Sequence, residues 1–224
     1  MAVGSASERA SAQERETAAF EFGARTGYAV PLGAAEANEG DNIDTLAQGQ
    51  VPIWLDAGVR LARDYFVGVD ASYGVGVLAP FLRSTCDTDA AYGTKTHCSA
   101  RDVRLGLEFI YHPRVRSAFE PWLGAGLGWE WLSVTDSANF QGANPSVTRD
   151  YDGPELFLLQ GGVDYMLRRG LGVGLFVAVS ADMYRSASLS CADTCNTFAV
   201  GSRKVDGSTT HEWLFGGARV TFMP

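Results

Sequence analysis

The stretch that decides the fold is Phe119-Glu-Pro-Trp-Leu-Gly-Ala-Gly-Leu-Gly-Trp-Glu-Trp131. Its odd-numbered positions are all apolar, whereas its even-numbered positions hold two glutamates, one tryptophan and three glycines. Because side chains alternate between the two faces of a strand, this stretch predicts one apolar face and one polar, glycine-rich face. A soluble barrel buries its apolar face, and a barrel in lipid turns that face outward.

The same two-residue rhythm recurs along the chain and predicts eight strands. Each is long enough to cross a bilayer at a tilt, which takes about 9–11 residues, and longer than the roughly 5–6 residues usual in soluble sheets. The predicted strands are Ala18–Pro31, Val51–Leu61, Tyr65–Leu78, Asp102–His112, Ala118–Ser133, Glu155–Leu167, Leu171–Arg185 and His211–Phe222.

The connections between these strands alternate in length. Three are short (62–64, 113–117 and 168–170), whereas residues 32–50, 79–101, 134–154 and 186–210 form long, polar connections. In an up-and-down meander the long connections gather at one rim, and the short ones gather at the other rim with both termini. Bacterial outer-membrane barrels have this asymmetry, with long extracellular loops and short periplasmic turns.

Charged residues lie on the polar phase of the strands, and the opposite phase is almost free of charge. An arginine facing lipid at mid-bilayer costs about 2–4 kcal/mol. A dozen outward charges would cost on the order of 20 kcal/mol, more than the roughly 5–15 kcal/mol that stabilises a typical domain. In lipid, the charges must therefore face the lumen. The predicted lumen charge network is Glu21, Arg25, Asp56, Arg60, Asp70, Arg104, Glu108, Glu120, Glu130, Asp164, Asp182 and Arg219.

The closing strand carries a resemblance to a known family. Its sequence, Leu214-Phe-Gly-Gly-Ala-Arg-Val-Thr-Phe222, alternates apolar residues and ends in an aromatic one. With the strand number and the loop asymmetry, it resembles the small eight-stranded outer-membrane barrels of the OmpA-transmembrane-domain and OmpX-like group. It departs from that group in carrying Met223-Pro224 after the aromatic residue.

The resemblance implies an all-β, eight-stranded antiparallel up-and-down transmembrane β-barrel over residues 18–224, in a bacterial outer membrane. Residues 1–17 are then a flexible periplasmic tail. They lack the pattern of a signal peptide, and we expect the mature form of an exported protein. The implied partners are outer-membrane lipids, lipopolysaccharide and the barrel-insertion machinery, and we expect a monomer.

Composition excludes other classes. The 18 Lys and Arg against 26 Asp and Glu give a net charge of -8, and no basic cluster interleaved with aromatic residues occurs, which argues against nucleic-acid binding. No apolar run reaches the roughly 18 residues that a membrane-spanning helix needs.

The four cysteines form two close pairs, Cys86 with Cys98 and Cys191 with Cys195. Cys191-Ala-Asp-Thr-Cys195 has an acceptable metal-ligand spacing, and His97 precedes Cys98. Both pairs lie in polar, loop-like sequence, which favours two local disulfides in an oxidising compartment. We expect no metal site, cofactor or catalytic residue.

For function, we expect a non-enzymatic barrel with a structural or surface-interaction role. An eight-stranded barrel is just wide enough for side chains to fill, and the lumen arginines can pair with the more numerous acids. A narrow channel or transporter for small or hydrophobic molecules is one alternative. In it, inner-phase Trp54, Trp122, Trp213 and Phe215 would line an apolar pocket.

Two further alternatives remain open. A lipid-modifying enzyme would use His211, beside Ser208, Thr209, Thr210 and Glu212, although we expect His211 to be a solvated histidine at a loop end. A soluble lipocalin-like carrier would place the apolar phase inside.

Overall fold

The computed structural model describes residues 18–34, 43–80, 83–84, 95–115, 117–139, 146–168, 170–192, 201–205 and 210–224. They include ten strands and a short helix, α1 (Ile43–Leu46). Within this part of the chain, no helix is both long and apolar enough to span a bilayer. The strands are β1 (Ala19–Gly33), β2 (Ala47–Leu61), β3 (Tyr65–Leu78), β4 (Lys95–Tyr111), β5 (Phe119–Asn139), β6 (Ser146–Arg168), β7 (Leu171–Met183), β8 (Ser186–Ala192), β9 (Gly201–Lys204) and β10 (Thr210–Phe222).

Eight of the strands close into a ring. The order is β5-β4-β3-β2-β1-β10-β7-β6, and pairing of β5 with β6 completes the circle. Every neighbouring pair is antiparallel. The predicted closed eight-stranded antiparallel barrel is therefore confirmed. The predicted tail, residues 1–17, lies outside the described residues.

The remaining two strands were not predicted. β8 pairs with β6, β9 pairs with β8, and both lie within the predicted connection 186–210. β4, β5 and β6 also continue well past their predicted ends into the connections 79–101 and 134–154. With β8 and β9, these extensions form a sheet that protrudes from the rim of long connections, here called the protruding sheet. Interpreting these stretches entirely as loops was wrong.

The orientation of side chains follows the two predicted phases. Along β3, Val67 and Val69 are about half exposed, whereas Phe66 and Asp70 are buried. The other barrel strands repeat this alternation, with leucine, valine and aromatic side chains outside. The barrel thus has the apolar exterior and charged interior expected in lipid, opposite to the arrangement that a lipocalin-like carrier requires.

Bulky apolar rings share the interior with the charges, and glycines make room for them. The Phe66 ring lies over Gly58 and Gly68, where an added Cβ would collide with it. Other glycines allow two neighbouring strands to approach each other closely. Gly27 and Gly217 face each other across the β1–β10 seam, and a Cβ on Gly27 would lie 2.6 Å from Gly217 Cα.

Candidate functional site

The twelve predicted lumen charges all occupy the inner phase of the barrel. Eleven are buried, and Glu120, near the rim of short connections, is partly exposed. Further polar side chains that were not predicted are buried beside them, among them Gln50, Asp102, His112, Glu155, Gln160, Ser180 and His211. The contacts fall into three clusters along the barrel axis.

The basal cluster comprises Glu21, Arg60, Asp164 and Arg219, near the short connections. Arg60 Nε donates to Glu21 Oε2 over 2.7 Å. Arg219 bridges Glu21, 3.3 Å from Oε1, and Asp164, 3.5 Å from Oδ2. The Arg219 guanidinium also stacks over Trp122, 4.3 Å from the ring centroid. The two arginines thereby join charges on β1, β2, β6 and β10.

His112 adjoins the basal cluster, just beyond the last residue of β4 and so outside the spanning strands. Arg60 Nη2 lies 2.9 Å from its Nε2, and the Glu120 carboxylate lies 4.0 Å from its Nδ1. Burial of the ring lowers the pKa of His112 to about 2, and the charges of Arg60 and Arg219 act in the same direction. His112 is therefore neutral in the folded barrel.

This histidine makes stability pH-dependent. Above pH about 6.5, His112 is neutral in both the folded and the unfolded state, and its contribution to the free energy of unfolding is complete. Below that pH, the histidine binds a proton in the unfolded chain but not in the folded barrel. As the pH decreases below that value, we expect the protonation of His112 in the unfolded chain to lower the free energy of unfolding by up to about 1.4 kcal/mol per pH unit. In urea unfolding series between pH 7 and pH 5, His112→Gln should show a shallower decline than the wild type. Parallel declines would contradict the assignment.

The central cluster is organised by Arg25. Its guanidinium bonds both oxygens of Asp56, with Nε 3.0 Å from Oδ2, and lies 3.0 Å from Glu108 Oε2. It also donates to Gln160, whose own amide donates to Glu108 over 2.7 Å. The guanidinium carbon lies 4.1 Å from the Trp54 ring centroid. Because β1, β4 and β6 are not neighbours in the ring, these bonds cross the lumen.

The upper cluster surrounds Arg104 on the side of the long connections. Four carboxylates contact its guanidinium: Asp102 at 2.9 Å, Glu130 at 2.9 Å, Glu155 at 2.7 Å and Asp182 at 3.4 Å. All five side chains are nine-tenths or more buried. Ser180 Oγ donates to Asp182 Oδ2 over 2.6 Å.

Three further polar side chains converge on Glu130. Tyr184 Oη and Trp213 Nε1 each lie 3.1 Å from Oε1, and His211 Nε2 lies 2.9 Å from Oε2. The Tyr184 ring stacks on His211 with a centroid distance of 4.2 Å. The three residues approach from β10 and from the turn after β7, whereas Glu130 lies on β5.

The interpretation of His211 as a solvated loop-end residue was wrong, because its side chain is fully buried. β10 begins at Thr210, so His211 shares the inner phase with Trp213 and Phe215. Extending the alternation two residues back from Trp213 would have placed it correctly. Of its sequence neighbours, Ser208 and Thr209 lie outside the described residues, and Thr210 is exposed.

The inner aromatic residues are buried as predicted, but they stack against charges. Trp54 lies under Arg25 and Trp122 under Arg219, while Trp213 and Phe215 lie within 5.7 Å of the Arg104 guanidinium carbon. Stacking of a guanidinium on an aromatic face is favourable and fills the space. The faces that a pocket for hydrophobic molecules would need are thus covered by arginine.

For the cysteines, Cys98 lies on β4 and Cys191 on β8, both in the protruding sheet. Neither is a free thiol. Cys86 and Cys195 lie outside the described residues, so the two predicted pairings stay predictions. The side chain of His97 is likewise outside what the structure describes.

No protein-family model and no curated protein sequence matches the chain. The fold is similar to the crystal structure of Neisserial surface protein A (NspA), with a TM-score of 0.52 and 15% identity over 92% of this chain and 99% of that one. The outer membrane protein OprG from Pseudomonas aeruginosa scores 0.47 at 14% identity, covering 92% and 97%. A major outer membrane protein from Thermus thermophilus scores 0.46 at 13% identity, covering 92% and 100%. At these identities, the likeness to NspA defines the fold alone.

Proposed function

We propose that this protein is a bacterial outer-membrane barrel with a closed lumen and that it acts, without catalysis, as a structural or surface-interaction protein. The observation that carries the proposal is the network of buried ion pairs that crosses the lumen from the basal to the upper cluster. Its partners are then membrane lipids, lipopolysaccharide and the insertion machinery, and any ligand meets the rim of long connections.

The exterior supports the membrane location. Leucine, valine and aromatic side chains form a continuous outward band, in which Leu105, Leu107 and Leu127 are each more than half exposed. An apolar surface encircling a whole domain is rare on soluble monomers and marks contact with lipid or another protein. Aromatic pairs sit at the rim of short connections, including Tyr65 with Tyr111 and Phe119 with Tyr165, where a membrane barrel has its aromatic girdle.

The protruding sheet supports the interaction role. Its strands are held by polar cross-strand pairs such as Thr135 with Thr148, 3.0 Å apart, and Ser133 with Asp150. Polar pairs stabilise a sheet that is solvated beyond the bilayer. The two predicted disulfides would brace the same region against proteolysis in an oxidising compartment.

The closed lumen has a direct test. We expect the purified barrel to give no stepwise currents in planar bilayers at neutral pH, because guanidinium–carboxylate pairs and arginine-covered rings occupy the cross-section. Heat-modifiable gel migration of the same sample provides the control that the barrel is folded. Stable unitary currents from the folded barrel would favour the channel alternative.

The membrane exterior is tested by placing a charge on it. Leu107 lies midway between the two rims on β4, and Leu107→Arg should reduce the free energy of unfolding from lipid vesicles by about 2–4 kcal/mol. Val115→Arg, at an exposed residue in the short connection after β4, provides the matched control and should change it little. Equal effects of the two substitutions would contradict a lipid-facing surface.

A further inference from the structure

We propose that the upper cluster binds one divalent transition-metal cation through Glu130, Asp182 and His211, a site that goes beyond the function proposed above. Each residue offers one ligand atom, and these atoms all lie within 4.8 Å of one another. Two ligand atoms at about 2.0–2.2 Å from one cation lie at most about 4.4 Å apart, so separations near that limit must shorten when a cation binds.

The three ligands are held by the barrel wall. Glu130 lies on β5, Asp182 on β7 and His211 on β10, and all three are fully buried. β7 and β10 are neighbours with His211 directly opposite Asp182 in the register, while Glu130 lies on β5, which only β6 separates from β7 in the ring. A metal there would join three strands on one side of the barrel.

Charge is the first argument for a cation. Four carboxylates, from Asp102, Glu130, Glu155 and Asp182, surround the single guanidinium of Arg104. With every carboxylate ionised the cluster carries three uncompensated negative charges, and buried charges persist when paired or coordinated to a metal. Arg104 makes its shortest contact with Glu155 at 2.7 Å, and its Nη1 lies 3.4 Å from each oxygen of Asp182.

Two unsatisfied polar atoms lie in the same cluster. Asp102 Oδ1 and His211 Nδ1 are buried without a hydrogen-bond partner among the described residues. A buried polar atom without a partner costs about 1–3 kcal/mol, and such atoms commonly indicate an ion or a water at the site. His211 Nε2 lies 2.9 Å from Glu130 Oε2, so a cation shared with Glu130 would take this nitrogen in place of that hydrogen bond.

The donor set selects the class of cation. One imidazole nitrogen with two or more carboxylate oxygens suits Zn²⁺ or Mn²⁺, whereas Ca²⁺ and Mg²⁺ prefer oxygen ligands alone. Asp102 and Glu155 would remain with Arg104 as a surrounding charged layer. Such outer partners orient the ligands and tune affinity.

Metal titration of the full chain in detergent tests the proposal. After chelator treatment, the folded barrel should bind one equivalent of Mn²⁺, followed by electron paramagnetic resonance, and of Zn²⁺, followed by calorimetry. His211→Gln should weaken binding at least about 10-fold. His112→Gln, the same change at the buried histidine of the opposite rim, should leave affinity unchanged.

A third measurement keeps the proposal testable if His211→Gln does not fold. X-ray absorption of the Zn²⁺-loaded wild type should show one nitrogen ligand together with oxygen ligands. An all-oxygen shell, no stoichiometric binding, or equal affinity in folded His211→Gln would each overturn the site. Because these readouts do not depend on lipid or conductance, they are separable from a failure of the proposed function.

Discussion

Replacing Arg104 with methionine should destabilise the barrel by at least about 3–5 kcal/mol, the usual loss when one partner of a buried ion pair is removed. Methionine keeps the length of the side chain but leaves Asp102, Glu130, Glu155 and Asp182 without their shared cation. Four unpaired carboxylates in one buried cluster repel one another as well as lacking water. Urea unfolding from lipid vesicles measures the effect.

Arg114→Met provides the control for this substitution. Arg114 Nε lies 2.8 Å from Asp64 Oδ1, comparable to the distances around Arg104, but its side chain is 72% exposed. Exposed ion pairs contribute about 0–1 kcal/mol, so the control should unfold almost as the wild type does. A similar small effect for Arg104→Met would mean that the upper cluster is hydrated and that the lumen is more open than the structure indicates.

Substituting Gly27 with alanine should impair closure of the barrel. The added Cβ would collide with Gly216 O and lie 2.6 Å from Gly217 Cα, both backbone atoms of the paired strand. Backbone atoms on a strand ladder cannot move aside as a flexible side chain can. Overpacking of this kind costs about 1–3 kcal/mol or more, and we expect a reduced fraction of the heat-modifiable folded form.

Gly216→Ala is the matched control for the seam. Gly216 is adjacent to Gly217 on β10 but points outward, and a Cβ there would meet only Phe176 O, at 4.0 Å. Its folded fraction should match that of the wild type. If both alanine variants fold equally well, the two strands are further apart at the seam than the structure has them.

The sequence predicted the parts of the fold on which lipid imposes a pattern. β3 was predicted over Tyr65–Leu78 as observed, because it lies wholly within the barrel and alternates throughout. The protruding sheet was missed for the opposite reason. Burial in that sheet does not alternate, since Leu132, Ser133 and Val134 are buried in succession, and the sequence there shows no two-residue rhythm.

Glu155 shows why part of the upper cluster could not be predicted. Counting back by twos from exposed Leu159 places Glu155 outside, yet it is buried. The register between β6 and β7 shifts between Glu155 and Phe157, so Leu156 and Phe157 both point outward and the phase reverses. Such a bulge leaves no signal in a single sequence. Which arginine meets which acid across the lumen depends likewise on the stagger of strands that are distant along the chain.

The ion pair between Arg219 and Glu21 connects side chains 198 positions apart. That pair lies where β1 and β10 meet to close the ring, so the barrel cannot close before β10 has been synthesised. During assembly, the edge of β1 must therefore stay unpaired until β10 reaches it. A chain that ends before Thr210 would leave the edges of β1 and β7 unpaired and Glu21 without Arg219. Quality-control proteases remove products of this kind.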